Sequence, residues 1–336
     1  KFDELMKPTG NAVAFQGYAS DPDTFPCPPA DFATCSKTPG AKGCPQWPTD
    51  YQGEPQKVTQ RSARLARAGV PPVAAHDVVG FDCWEVPNTE IVYRNKATFD
   101  YIVHNGLWYV EGVQAKFEEG FVYDFPIQSI EVKTNWHVLT PEQAASGRYY
   151  TMQQDGQTLG LIAMHISTKD LPNWFWSTFE HVDNLGRCDF LGCHDSFGYK
   201  PHDVPPRPKE LCQTYPPGEI TPQLQKMIAG LAPAARYYRL KGAMVDYTTA
   251  TGSPNLVGNS VTEAGFVATA SCMTCHARAT VQATPSPPNG LSPYPGVAGF
   301  TPDGQSYNGT PDPSWYYSGN DPVRRIQALL AAAHRA

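Results

Sequence analysis

Cysteine placement constrains this chain more than any other feature of its 336 residues. Seven of the nine cysteines (Cys27, Cys35, Cys44, Cys83, Cys188, Cys193 and Cys212) lie in segments rich in proline, glycine and polar residues. Three fall within "CPPADFATCSKTPGAKGC" and two within "RCDFLGC". Loop cysteines of this kind predict disulfides made in an oxidising compartment, and hence an exported protein. A zinc site is the alternative, but these loops lack the C-x-x-C or H-x-x-x-H spacing that zinc usually takes. Seven is odd, so at most three bridges form among them, and sequence alone leaves the pairing open. The other two cysteines belong to "SCMTCHARAT", where Cys272, Cys275 and His276 stand in the spacing C-x-x-C-H.

The rest of the chain reads as strands and loops. Its 33 prolines and 28 glycines favour turns over a helical bundle, while 41% apolar residues suffice for a core. No apolar run approaches the roughly 18 residues of a membrane span, so a soluble protein is expected. The opening "KFDELMKPTG" has no apolar leader, as in a mature chain whose leader has been removed. A net charge of -6 without a basic block argues against a nucleic-acid partner.

Residues 1 to about 75 read as loops, with one helix in "TQRSARLARAG". "SIEVKTNWHVL" alternates apolar and polar residues, the period of a strand with one buried face. "RYYTMQQ" and "QTLGLIAMHIST" flank Asp155-Gly156, a pair suited to a tight hairpin turn. The second of these strands is nearly all apolar and places His165 on a buried or half-buried strand. "LPNWFWSTFEHVDN" then crowds Trp174, Phe175, Trp176 and Phe179 together. Helices are predicted from Thr221-Pro222 to Gly230, over "APAARYYRLKGAM", and over "DPVRRIQALLAAAH". The fold class is therefore α+β. A β-rich region with disulfide-stapled loops spans residues 1–235, and a helical segment carrying the C-x-x-C-H spans 236–336.

Two thiols at this spacing can add to the vinyl groups of haem, with the adjacent imidazole on the iron, because one helical turn presents all three to the same plate. A redox dithiol would sit in a thioredoxin-like βαβ context, which is missing, and a zinc site would need two further ligands nearby. "YRLKGAMVDYTTATGSPNLVGNSVTEAGFVATASCMTCHARA" resembles the haem-attachment region of c-type cytochrome domains in bacterial periplasmic proteins. "IEVKTNW", "LIAMHIS" and "NWFWSTFEHVDN" look like segments of a group of largely uncharacterised monohaem cytochrome-c-like proteins. The resemblance implies a cytochrome c-like helical segment with one covalently attached haem c, Cys272 and Cys275 as thioether sites, and His276 as proximal iron ligand. It also implies a periplasmic location.

Small electron carriers of this kind usually offer a methionine after the motif as sixth ligand, and this chain has none there. The candidates are Met244, His181 and His165, or the position stays open. Glu180 beside His181 is a candidate acid-base pair, provided the segment turns there, since strand neighbours point to opposite faces. Trp174 and Trp176 share a face if extended, forming core, a haem wall or an electron path. Three functions follow. The first is redox chemistry and electron transfer with a partner protein. The second is a peroxidase-like haem oxidoreductase acting on a small-molecule substrate, and the third is a haem-based binding or sensing module.

Overall fold

The computed structural model describes residues 1–26, 30, 32–48, 83, 89–119, 123–192, 211–264, 267–273, 276, 299–300 and 306–307. Its centre is an antiparallel sheet in the order β3-β4-β5-β7-β8-β9, with β6 paired to β7 beside β8. These strands are β3 (Ala19–Ser20), β4 (Thr89–Arg94), β5 (Ile130–Val138), β6 (Thr151–Gln154), β7 (Gln157–Thr168), β8 (Phe175–His181) and β9 (Tyr238–Met244). Two small hairpins, β1 (Pro8–Thr9) with β2 (Ala12–Val13) and β10 (Gly299–Phe300) with β11 (Ser306–Tyr307), stand apart from it.

The predicted α+β class holds in this coarse form. β5 covers the alternating stretch, and β6 and β7 close around Asp155 (φ 48°) and Gly156 (φ 76°), the two positive angles a tight turn demands. β7 is long enough to pair with β5 along its length and with β8 beyond β6. Ile162 is the extra residue where the β5–β7 register shifts between Asn135 and Trp136. The helix expected at Thr221 is present as Pro222–Ile228, with the Thr221 hydroxyl accepting the Leu224 N–H.

"APAARYYRLKGAM" departs from expectation. It forms a 3-10 turn, Pro233–Tyr237, and then β9, because pairing with β8 outweighs the helix preference of its alanines. β9 lies beyond residue 235, so the sheet continues past the expected division at 235/236. The described part of residues 1–75 likewise contributes more than loops, including β3 at the sheet edge and short helices at Phe2–Leu5, Asp21–Thr24 and Phe32–Lys37. The helices expected in "TQRSARLARAG" and "DPVRRIQALLAAAH" lie outside the described residues.

The two faces of the sheet differ. One is apolar: Val132, Trp136, Leu161, Met164 and Ile166 pack against Leu5, Met6, Phe15 and Ala235. Each such side chain removed from water contributes about 1.5–3 kcal/mol before entropy is counted. The other face carries Glu131, Lys133, Asn135, His165, Thr178 and Glu180, with Trp176 and Met244 at one end. These last two join a second cluster with Ile102, Trp108, Phe125, Trp174, Val257 and Met273.

Among the described residues the cysteine expectation is met as disulfides, while Cys27 and Cys193 lie outside them. Cys35 is bonded to Cys44 and Cys83 to Cys212, and Cys188 is also disulfide-bonded. Cys83, Cys212 and Asp189 bring their ligand atoms within 4.8 Å of one another, but the two sulfurs are spent on each other. No helix among the described residues is long and apolar enough to cross a membrane.

Candidate functional site

Cys272, Met273 and His276 are helical, and they divide by depth. Met273 is buried in the second cluster, whereas Cys272 and His276 are half-buried. The Cys272 thiol lies 3.6 Å from the Val257 carbonyl oxygen, and Met273 anchors this segment inward. Cys275 lies outside the described residues. The His276 ring rests on Trp176 with centroids 4.3 Å apart and planes tilted by 44°. Trp176 is itself fixed, its indole N–H donating to the Asn173 carbonyl at 3.0 Å.

β8 and β9 bring Met244 into register opposite Trp176, so both side chains leave the same face. The Met244 sulfur accepts the Met273 N–H at 3.4 Å, and the Ser271 hydroxyl lies 3.9 Å from it. The thioether is therefore turned to the backbone of the C-x-x-C-H turn, on the inward side with Met273.

His165 shares the Trp176 face, since it pairs with Thr178, two residues along β8. Its Nε2 lies 3.3 Å from Glu263 Oε1 and 3.0 Å from Asn259 Nδ2. The Asn259 carbonyl oxygen accepts the backbone N–H groups of Val261 and Thr262, which fixes its amide, and its NH2 group reaches Thr178. Thr262 donates onward to Asn135 at 2.8 Å. Residues 259–263 thus lie as a polar turn across β5, β7 and β8, shortly before the C-x-x-C-H segment. The sequence carried a trace of this turn in "SVTE", the S-x-x-E of a capping pattern, but not the sheet positions it would meet.

Glu180 and His181 are not brought together. β8 stays extended through both, so their side chains leave opposite faces. Glu180 is fully buried, with Oε1 accepting from Asn184 at 3.1 Å and from the Ser260 hydroxyl. Burial pushes its carboxyl above the usual range, against the pull of Lys241, Ser260, Asn184 and Arg187. His181 is enclosed on the other face, stacked on Tyr149 at 4.0 Å. Its Nε2 lies 3.2 Å from the Arg148 carbonyl, to which it donates, and its Nδ1 accepts the Asp183 N–H at 3.2 Å. Both nitrogens are engaged by backbone groups in the neutral form.

Burial holds the His181 imidazole at about 4, with the Asp183 carboxylate pulling the other way. The unfolded imidazole takes its proton near 6.5, so between that pH and about 4 the unfolded chain binds more protons and stability falls as pH falls. Asp183, held low by the Arg148 guanidinium and His181 against the cost of its own burial, adds loss in the same direction at lower pH, whereas Glu180 opposes it. Urea unfolding followed from pH 7 to pH 4 is expected to show a loss of about 3 kcal/mol from His181. That component is expected to disappear in His181→Gln, and an unchanged pH slope in the variant would refute the assignment.

Comparison with family models, curated proteins and solved structures finds no match.

Proposed function

We propose that the chain is an exported monohaem c-type cytochrome that transfers electrons, with haem joined to Cys272 and Cys275 and His276 on its iron. The observation that carries this reading is that Cys272 and His276 are both helical and half-buried beside Met273, which is buried in the second core cluster. In a covalently attached haem of this kind the cysteine thiols add to the vinyl groups and the imidazole binds the iron. Haem bound there supplies a one-electron iron couple. Trp176 covers one face of the imidazole and limits its rotation, while Met244 and Ser271 steady the turn from below. The disulfides are compatible with an oxidising compartment and so with export.

A second reading is a peroxidase-like oxidoreductase with an open iron position, acting on a small molecule. It is favoured by two of the three candidate sixth ligands: Met244 is turned to the motif's own backbone, and His181 lies on the opposite sheet face. His165, on the Trp176 face, is then the residue available to move a proton.

Mass spectrometry of the denatured protein is expected to give the polypeptide plus one haem, with Cys272→Ala and Cys275→Ala each weakening covalent retention. A colourless protein with the bare polypeptide mass would overturn both readings. A ferrous spectrum unmoved by carbon monoxide supports the electron carrier, and a shifted one supports the open site.

A further inference from the structure

The proposed haem ligand stands at the end of a file of aromatic rings. His276 contacts Trp176 at 4.3 Å, Trp176 lies 6.2 Å from Trp174, Trp174 lies 5.8 Å from Phe125, and Phe125 lies 4.3 Å from Tyr101. Trp174 and Phe125 are buried, while Tyr101 is half-buried and accepts the Asp124 N–H at 3.0 Å. The file thus runs from the motif through the second core cluster and emerges beside Asp124, whose side chain is 74% exposed.

Two further features hold this arrangement. Trp174 adopts φ 63°, a left-handed conformation that is strained for a bulky side chain and persists only where the surroundings enforce it. In this conformation the indole lies between Phe125 and Trp176. At the outer end Lys169 clamps the two loops that supply Phe125 and Trp174, pairing with Asp124 at 3.0 Å and donating to the Pro172 carbonyl at 2.8 Å. A core needs apolar volume at these positions, but it does not need a continuous series of π-systems ending on a metal-ligating imidazole.

We infer that Trp176, Trp174, Phe125 and Tyr101 form the route by which one electron passes between the metal held by His276 and the surface near Asp124. This rests on the haem reading above. One electron moves, iron(II) becomes iron(III), and a one-electron oxidant at the surface is reduced; the rings end as they began, and no proton or bond is exchanged. Electron tunnelling falls exponentially with the gap to be crossed, and delocalised rings shorten each gap.

The test places the oxidant at the mouth of the file. A ruthenium polypyridyl photosensitiser is tethered through Ile127→Cys, at a position 61% exposed and two residues from Phe125, in the haem-bearing protein. A control tether is placed through Met227→Cys, at a position 52% exposed on the Pro222–Ile228 helix. After flash oxidation of the sensitiser by a sacrificial acceptor, transient absorption follows the oxidation of ferrous haem. Trp174→Leu is expected to slow transfer from the first tether at least tenfold, Trp174→Phe to restore most of it, and the control tether to respond to neither. Midpoint potential and haem spectrum are expected to match the parent in both variants. Phe125→Leu is expected to slow the same tether and decides the matter if Trp174→Leu fails to fold. Unchanged rates in Trp174→Leu and Phe125→Leu, or equal slowing at both tethers, would overturn the route while leaving the haem reading intact. A parent protein without haem would overturn both.

Discussion

Replacing Cys83 and Cys212 together by alanine is expected to lower the unfolding free energy by about 5 kcal/mol, the larger loss of the two described bridges. The bond joins positions 129 residues apart, whereas Cys35–Cys44 spans only 9. Closing a longer loop removes more freedom from the unfolded chain, so removing the shorter bridge is expected to cost roughly 2–3 kcal/mol. Cys212 is also tied locally: its N–H donates to Asp189 Oδ2 at 2.8 Å, and Tyr215 donates to the same carboxylate. Those bonds survive the substitution, which confines the loss to the covalent closure. Urea unfolding of each double-alanine variant, followed by tryptophan fluorescence, measures the two costs. Equal losses would show that loop length does not govern them.

Arg94→Met is expected to cost about 3–5 kcal/mol at neutral pH, because it strands two carboxylates beneath the sheet edge. Arg94 is fully buried; its guanidinium pairs with Asp21, lies 3.2 Å from Glu131, and covers the Phe25 ring at 4.7 Å. Burial pushes both carboxyls above their usual range even with the guanidinium present, and Arg94 is the strongest counterweight for each. Without it, both acids are expected to hold protons to still higher pH. The destabilisation should therefore shrink as pH falls toward 4, and Arg94→Met combined with Glu131→Gln should recover part of it. Thermal melts at pH 7 and pH 5 check this, and a pH-independent loss would mean that packing on Phe25 matters more than charge.

What could be read beforehand was local. Asp155-Gly156 names its own turn, β5 shows its period, and Thr221-Pro222 carries both a cap and a first-turn proline, so each was legible from adjacent residues. β9 was not, because "APAARYYRLKGAM" favours a helix by composition and becomes a strand only beside β8, over fifty residues earlier. The Cys83–Cys212 pairing was hidden for a similar reason, since spacing says nothing about which distant thiols meet. Cys272 and His276 are conspicuous from their motif, yet their seat on Trp176 and Met244 follows from the β8–β9 register. The same holds for Glu180 and His181: adjacency suggested cooperation, and an unbroken strand sets them on opposite faces. Asn259 and Glu263 carry no local signal, because their meaning depends on His165, Thr178 and Asn135 arriving from three strands.

The borders of the sheet carry a consequence for behaviour at high concentration. An open antiparallel sheet presents unpaired backbone groups that invite intermolecular strand addition. Here β3 is two residues long, and β9 loses its register at Lys241, the extra residue facing the Thr178–Phe179 step. A short margin on one flank and a kinked, lysine-bearing one on the other offer poor templates for fibril growth. Among the described residues, these two borders thus carry features that discourage strand addition.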